Sequence, residues 1–201
     1  MSEETFNPLA KRNLGISVAD ALLAKKPSPL PPEDSFDGAG IYAIYYTGGF
    51  AAYKKIAERN RSNKFAAPIY VGKAIPPGGR KGILEPNAKA GPELFRRLSK
   101  HAESIRYAAD TLELEDFFCR YLLVDDIWIP LGESLLIQQF KPLWNRVLDG
   151  FGNNDPGGKR YTGQRPSWDT VHSGRPWAAR CSPNPRNTSE WLEEIKRALS
   201  E

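Results

Sequence analysis

The sequence predicts a mixed α/β chain of the α+β kind, with three short strands at its centre and helices around them. Three observations carry that prediction. Runs rich in β-branched and aromatic residues recur at 41–46, 68–74 and 117–124, the composition that a pleated, half-buried surface selects. Segments with apolar residues three and four apart lie between and after these runs, at 50–61, 92–105 and 131–140, which is helical spacing. The 201 residues, 40% hydrophobic and 26% charged, suffice for one elaborated domain with its own core.

Residues 1–35 read as an N-terminal arm with a Pro-rich linker. Ser17, followed by Asp20, could cap a short helix through Leu23, and KKPSPLPP from Lys25 to Pro32 then forms the linker. A core is expected over 36–146. Its first strand follows Gly38 and Gly40 and is closed by Thr47-Gly48-Gly49, a turn signal. The helix at 50–61, with Phe50, Tyr53, Ile56 and Ala57 on one face, reads as an insertion within a hairpin whose second strand is PIYVGKA at 68–74. The stretch 75–91 is a long loop by its Pro and Gly content, and such loops are disproportionately functional.

Pro92 suits the first turn of the next helix. There Leu94, Leu98, Ala102 and Ile105 form an apolar stripe, with Arg97 and His101 at its edge, only about 40° apart around the axis. After the strand FFCRYLLV comes a helix from Leu131 to Phe140, entered near Pro130 and stopped before Pro142, with Glu133 expected in its first turn. Residues 147–201 are expected to pack on the same domain as basic loops and a terminal helix. Up to Arg186 the composition shifts to Gly, Asn, Pro, Arg and Trp without a period, which predicts ordered loops or a mobile arm. Trp191, Leu192, Ile195 and Leu199 then line one face of the helix, whose cap lies at 187–189.

Charge and composition narrow the function. The net charge is +4 with a pI near 9.0, and the basic residues are concentrated. Lys73 to Lys100 carries seven against Glu85 and Glu93, and Arg146 to Arg186 carries seven against Asp149, Asp155 and Asp169. Two basic, Gly- and Pro-rich segments favour a polyanionic partner. No apolar run suits a membrane span or a signal peptide, so a cytoplasmic protein is expected. Cys119 and Cys181 form no metal or disulfide framework. The absence of a G-x-x-x-x-G-K-[ST] loop argues against a nucleotide cofactor. His101 and His172 are too few for a histidine-metal nuclease, and His172 reads as a surface residue. Glu194-Ile195-Lys196 supplies an E-x-K pattern, but on an amphipathic helix with no strand carboxylate before it.

Several side chains are ordinary alone and specific together. A strand tyrosine such as Tyr42 or Tyr70 usually just packs. A first-turn Glu133 favours a helix dipole, and Asn145 could cap a turn. In order, however, Gly40-Ile41-Tyr42, Tyr70-Val71-Gly72, Arg97-x-x-x-His101, Glu133 and Lys141-Pro142-Leu143-Trp144-Asn145 resemble the GIY-YIG nuclease superfamily over residues 38–146. Two departures are visible: the second motif reads YVG, and the two tyrosines lie 28 residues apart, a spacing the inserted helix accounts for. The resemblance implies a small antiparallel three-stranded sheet flanked by helices, and a nuclease. Without an appended DNA-binding domain the chain is most similar to the short type II restriction endonucleases that cut the palindrome CCGCGG. Double-stranded DNA is then the expected partner, and a homodimer the expected assembly, since a palindrome mirrors a two-fold axis.

The resemblance also implies roles. Glu133 would hold one Mg²⁺, with Mn²⁺ as an expected substitute, because a hard cation that keeps its waters needs few carboxylates. Arg97 would grip the scissile phosphate with its planar fork. Tyr42 is the implied base, although a phenol of pKa near 10 is only about one part in a thousand ionised at pH 7, a deficit of roughly 4 kcal/mol. Neutral His101 is expected to take its proton, with Lys73 contributing field. Tyr70 would bond the phosphate or the water, and Asn145 would orient a neighbour or touch the phosphate. Arg80, Lys81, Lys159, Arg160 and Arg165 are the candidates for reading guanine edges or holding phosphates. The competing readings are a non-catalytic DNA-binding module and a structure-directed or mobile-element nuclease of the same superfamily.

Overall fold

The computed structural model describes residue 7 and residues 10–76, 91–158 and 160–200. Among them, one antiparallel sheet contains β1 (Ser28–Pro29), β2 (Gly40–Tyr46), β3 (Pro68–Ala74) and β4 (Phe117–Leu123), in the order β1-β4-β2-β3. The mixed, helix-flanked antiparallel fold is as expected, but the sheet has four strands where three were predicted. The addition comes from the Pro-rich segment, where Ser28 and Pro29 pair with Cys119 and Phe118. A proline cannot donate to a ladder, so it is tolerated in a two-residue edge strand and hides that strand from a composition-based reading.

Every residue of β2 is buried because both faces of the sheet are covered, and its side chains alternate between two cores. Tyr42, Ile44 and Tyr46 join one core with Leu94, Leu98, Ala102 and Ile105 of α3 (Glu93–Tyr107). Ile41, Ala43 and Tyr45 join the other with Ile129 and Leu136 of α4 (Ile129–Phe140) and Ala19 and Leu22 of α1 (Lys11–Leu23). Gly15 of α1 faces Leu135, and Gly132 of α4 faces Val18. A Cβ at either glycine would collide with that neighbour, so the two helices approach closely because both residues lack one.

The inserted helix is present as a 3₁₀ turn at Ala51–Tyr53 followed by α2 (Lys54–Asn60). Buried Asn60 closes the insertion: its amide donates to the carbonyls of Tyr46 and Ala67 at 3.0 and 2.8 Å and accepts from the Ala67 N–H at 2.8 Å. After α5 (Leu143–Arg146) and α6 (Ser167–Val171), the chain ends in α7 (Thr188–Ala198). An Asn187–Glu190 capping box starts α7. Its Ile195 is fully buried in the α3-side core, which also contains Trp144, Phe151 and Trp168. No described helix is long and apolar enough to cross a membrane.

Candidate active site

Tyr42 and Tyr70 come together through the β2–β3 register, in which Tyr42 pairs with Gly72 and Ile44 with Tyr70. Both rings lie on the α3 side, with centroids 6.2 Å apart. A Cβ at position 72 would strike the Tyr42 hydroxyl, so the glycine of the YVG motif makes room for that oxygen. From α3, His101 approaches the same hydroxyl, with Nε2 2.6 Å from Tyr42 Oη. The β3 strand also carries Lys73, whose ammonium lies 2.7 Å from a carboxylate oxygen of Glu133 on α4. Glu133 is not in the first turn as expected: α4 begins at Ile129, so this carboxylate stands a full turn inside the helix.

A cleft of about 320 Å³ is lined by Tyr70, Lys73, Arg97 and Glu133, with Glu93, Arg96 and Lys100 at its side. Sequence reading missed Arg96 and Lys100, although the spacing 96, 97, 100 on one helix is a readable basic face. Tyr42 itself has no exposed surface. Burial pushes its hydroxyl well above the ordinary phenol range, the neighbouring Tyr70 adds to this, and the charge of Arg97 opposes it. Burial likewise raises Tyr70. It drives His101 well below the usual imidazole value, helped by the charges of Arg97 and Arg175, so this histidine is neutral near pH 7. The cation acting on Tyr42 is therefore Arg97, while Lys73 sits on Glu133.

Arg97 is itself held, donating from Nη2 to the Gly152 carbonyl at 2.6 Å and from Nη1 to Asn154 Oδ1 at 3.4 Å. Phe151 of the same loop stacks on His101 at 4.5 Å between centroids and 18° between planes. These loop residues lie in the aperiodic region, and nothing in their sequence spacing announces the contact. The side-chain amide of Asn145 is committed at both ends, accepting from Val71 N–H and donating to Val71 carbonyl, each at 2.8 Å. It therefore orients β3.

The predicted DNA-contacting residues fare unequally. Arg160 is exposed. Arg165 spends its guanidinium on the carbonyls of Ala178 and Ala179, so it braces a loop. Arg80, Lys81 and Lys159 lie outside the described residues. His172, expected at the surface, is fully buried and bonded to Tyr53 and Thr111. Among the described residues no cluster of three or more His, Cys, Asp or Glu could hold a metal ion. Two described carboxylates line the cleft. Glu93 is paired with Arg96 of its own helix at 3.0 Å, whereas Glu133 faces Lys73 of β3 across the cleft, and the ammonium resting on it marks a place where a hard cation is favourable.

A search of curated proteins finds no match to the chain. The family model described as the Eco29kI GIY-YIG domain matches residues 34–199, a span that contains both tyrosines, Arg97, His101, Glu133 and Asn145 together with the loops and helix after them. The chain thus belongs to the Eco29kI GIY-YIG domain family, and is a DNA endonuclease of the restriction type within the GIY-YIG superfamily.

Proposed function

We propose that the protein is a type II restriction endonuclease that hydrolyses both strands of a short G·C-rich palindrome such as CCGCGG, acting as a homodimer with one Mg²⁺ per active site. The observation that carries the chemistry is the short hydrogen bond between Tyr42 and a neutral His101, beside a cleft whose lining includes Arg97 and Glu133. A phenol raised this far by burial does not ionise alone near neutral pH. A relay avoids that step: as the water oxygen bonds to phosphorus it gives its proton to Tyr42 Oη while the Tyr42 proton passes to His101 Nε2. The P–O bond to the leaving oxygen breaks, and that oxygen departs with the electron pair to be protonated by solvent. Imidazolium forms as negative charge grows on the phosphoryl oxygens, where Arg97 donates.

Tyr70, which lines the cleft, bonds a phosphate oxygen or the water in this reading. Glu133 would hold the cation, which when bound supplies charge neutralisation at the phosphate and a polarised water. Lys73 would then leave the carboxylate it occupies and turn to phosphate. Mn²⁺, also a hard ion suited to oxygen ligands, would substitute for Mg²⁺. The basic cleft face of Arg96, Arg97 and Lys100 and the exposed Arg160 support DNA as the polyanion.

The test is digestion of a sequenced plasmid with and without Mg²⁺, comparing the intact chain with Glu133→Ala. Discrete fragments ending in one palindromic sequence are expected for the intact chain, and none for the variant, which should still bind the plasmid. A smear would point to a structure-directed or non-specific nuclease, and equal cutting by Glu133→Ala would remove the metal ligand from the scheme.

A further inference from the structure

Arg175 is 2% exposed, and all five of its N–H donors are engaged. Nε and Nη2 hold the two carboxylate oxygens of Asp169, the first at 2.7 Å. Nη2 also reaches the Gly150 carbonyl at 2.8 Å, and Nη1 the carbonyls of Phe151 and Asn153 at 3.1 and 3.2 Å. The guanidinium carbon lies 4.8 and 4.6 Å from the ring centres of Trp168 and Trp177. A cation taken out of water persists only with this degree of pairing.

What the pair holds is the loop that touches the active site. Arg175 takes three carbonyls from residues 150–153 and leaves that of Gly152, which accepts from Arg97 Nη2. Phe151, whose carbonyl is clamped, lays its ring on His101. The Asn154 side chain, one residue beyond the last clamped carbonyl, takes the other end of Arg97. An apolar filler of equal volume could stabilise the core but could not fix three carbonyls and a carboxylate at once.

We propose that the buried Asp169–Arg175 pair is a positioning device for catalysis, setting the 150–154 loop so that Gly152 and Phe151 fix the orientation of Arg97 and His101. The proposal rests on the catalytic reading of those two residues given above. Asp169 and Arg175 act through the loop, and Arg175→Lys leaves in place the positive charge that His101 also feels from this side chain.

Arg175→Lys tests it, because lysine keeps the charge but cannot span five acceptors. The assay is single-turnover cleavage, with enzyme in excess, of a supercoiled plasmid that the intact chain cuts in Mg²⁺. The rate constant should fall by about 10- to 100-fold, the scale of a small misplacement of catalytic groups. The reaction amplitude and the metal-free affinity for the same plasmid should stay near those of the intact chain. A purely structural role would lower the amplitude and leave the rate constant alone, which would overturn the proposal.

Gly152→Ala keeps the test decisive if Arg175→Lys does not fold. Its Cβ enters the space beside Tyr70 Oη and Arg97 Nη2 with the clamp intact, and it too should slow the rate constant. Combined with Arg97→Lys, the loss from Arg175→Lys should shrink, since both act through one guanidinium, and full additivity would overturn the proposal. If Arg97→Ala is inactive while Arg175→Lys and Gly152→Ala retain the normal rate constant, only the positioning role fails. If Arg97→Ala cuts normally, the catalytic reading of the site fails and takes this proposal with it.

Discussion

Among the described residues two tyrosine–histidine hydrogen bonds are buried, and their surroundings separate their roles. Tyr53 meets His172 Nε2 at 2.5 Å, accepts from Trp144 Nε1 at 2.9 Å, and the far side of His172 meets Thr111 Oγ1 at 2.8 Å. That chain ends on the Ala108 carbonyl, with no charged group in it. Tyr42 and His101 are bonded similarly but feel Arg97, Glu133 and Tyr70, which makes theirs the reactive pair. Burial lowers the His172 pKa to about 3, so the folded chain refuses a proton that the unfolded chain accepts near pH 6.5. Stability from this residue is full above about pH 6.5 and is lost as pH falls toward 3, at about 1.4 kcal/mol per unit. Going from pH 7 to pH 5 should therefore cost about 2 kcal/mol through His172 alone. In urea unfolding, His172→Gln should be less stable at pH 7 yet lose less than the intact chain between those pH values; equal losses would contradict the assignment. The sequence could not distinguish the two histidines by burial. His101 was recognisable from its partner Arg97 one turn away, whereas Tyr53 and His172 are 119 residues apart and meet only through tertiary packing.

At the scale of elements, the motif that was most legible is also the one most dependent on a distant side chain. Among the described residues β3 ends the sheet, so one edge of its backbone has no described strand beside it. Asn145 supplies the missing partner by bonding both the N–H and the carbonyl of Val71, midway between Tyr70 and Gly72. Asn145→Ala leaves both groups unpaired and should cost about 1–3 kcal/mol, two hydrogen bonds at their usual net worth. Asn145→Asp keeps the bond to the N–H but turns a second oxygen toward a carbonyl, so it should be no better than alanine. Urea unfolding gives the loss, and amide exchange at Val71 gives its location; slow exchange preserved in Asn145→Ala would show that β3 needs no such brace. The long strands and amphipathic helices were readable because each has one dominant period. β1 was not, because two residues have no period, and neither was the 146–186 region, where Phe151 and Arg175 are buried by irregular backbone and Trp168 by a helix of only 5 residues.

Across the whole molecule, the site lies where two layers meet. Tyr42, Tyr70, Arg97 and His101 come from the α3 side of the sheet, while Glu133 comes from α4 on the other side and reaches Lys73 of β3. The proposed metal ligand is thus placed by whatever holds α4, and on its outer side that is α1, which precedes the span matched to the family at residues 34–199. Leu22 and Leu30 are 0% and 3% exposed, and Ala19 is 1%. Burying two leucines is worth about 3–6 kcal/mol, a large share of the roughly 5–15 kcal/mol that holds a typical domain together. Deleting residues 1–30 also removes β1 from the edge of β4 and exposes the α4 face that bears Leu135 and Leu136. The shortened chain should therefore melt well below the intact one. Cleavage should fall further than the folded fraction explains, because Glu133 loses the support of its helix while Tyr42 and Arg97 keep theirs. Thermal unfolding followed beside single-turnover cleavage separates the two effects. An unchanged melting temperature would mean that α1 contributes no stability, and a normal rate constant in the folded fraction would mean that Glu133 is positioned by the sheet alone.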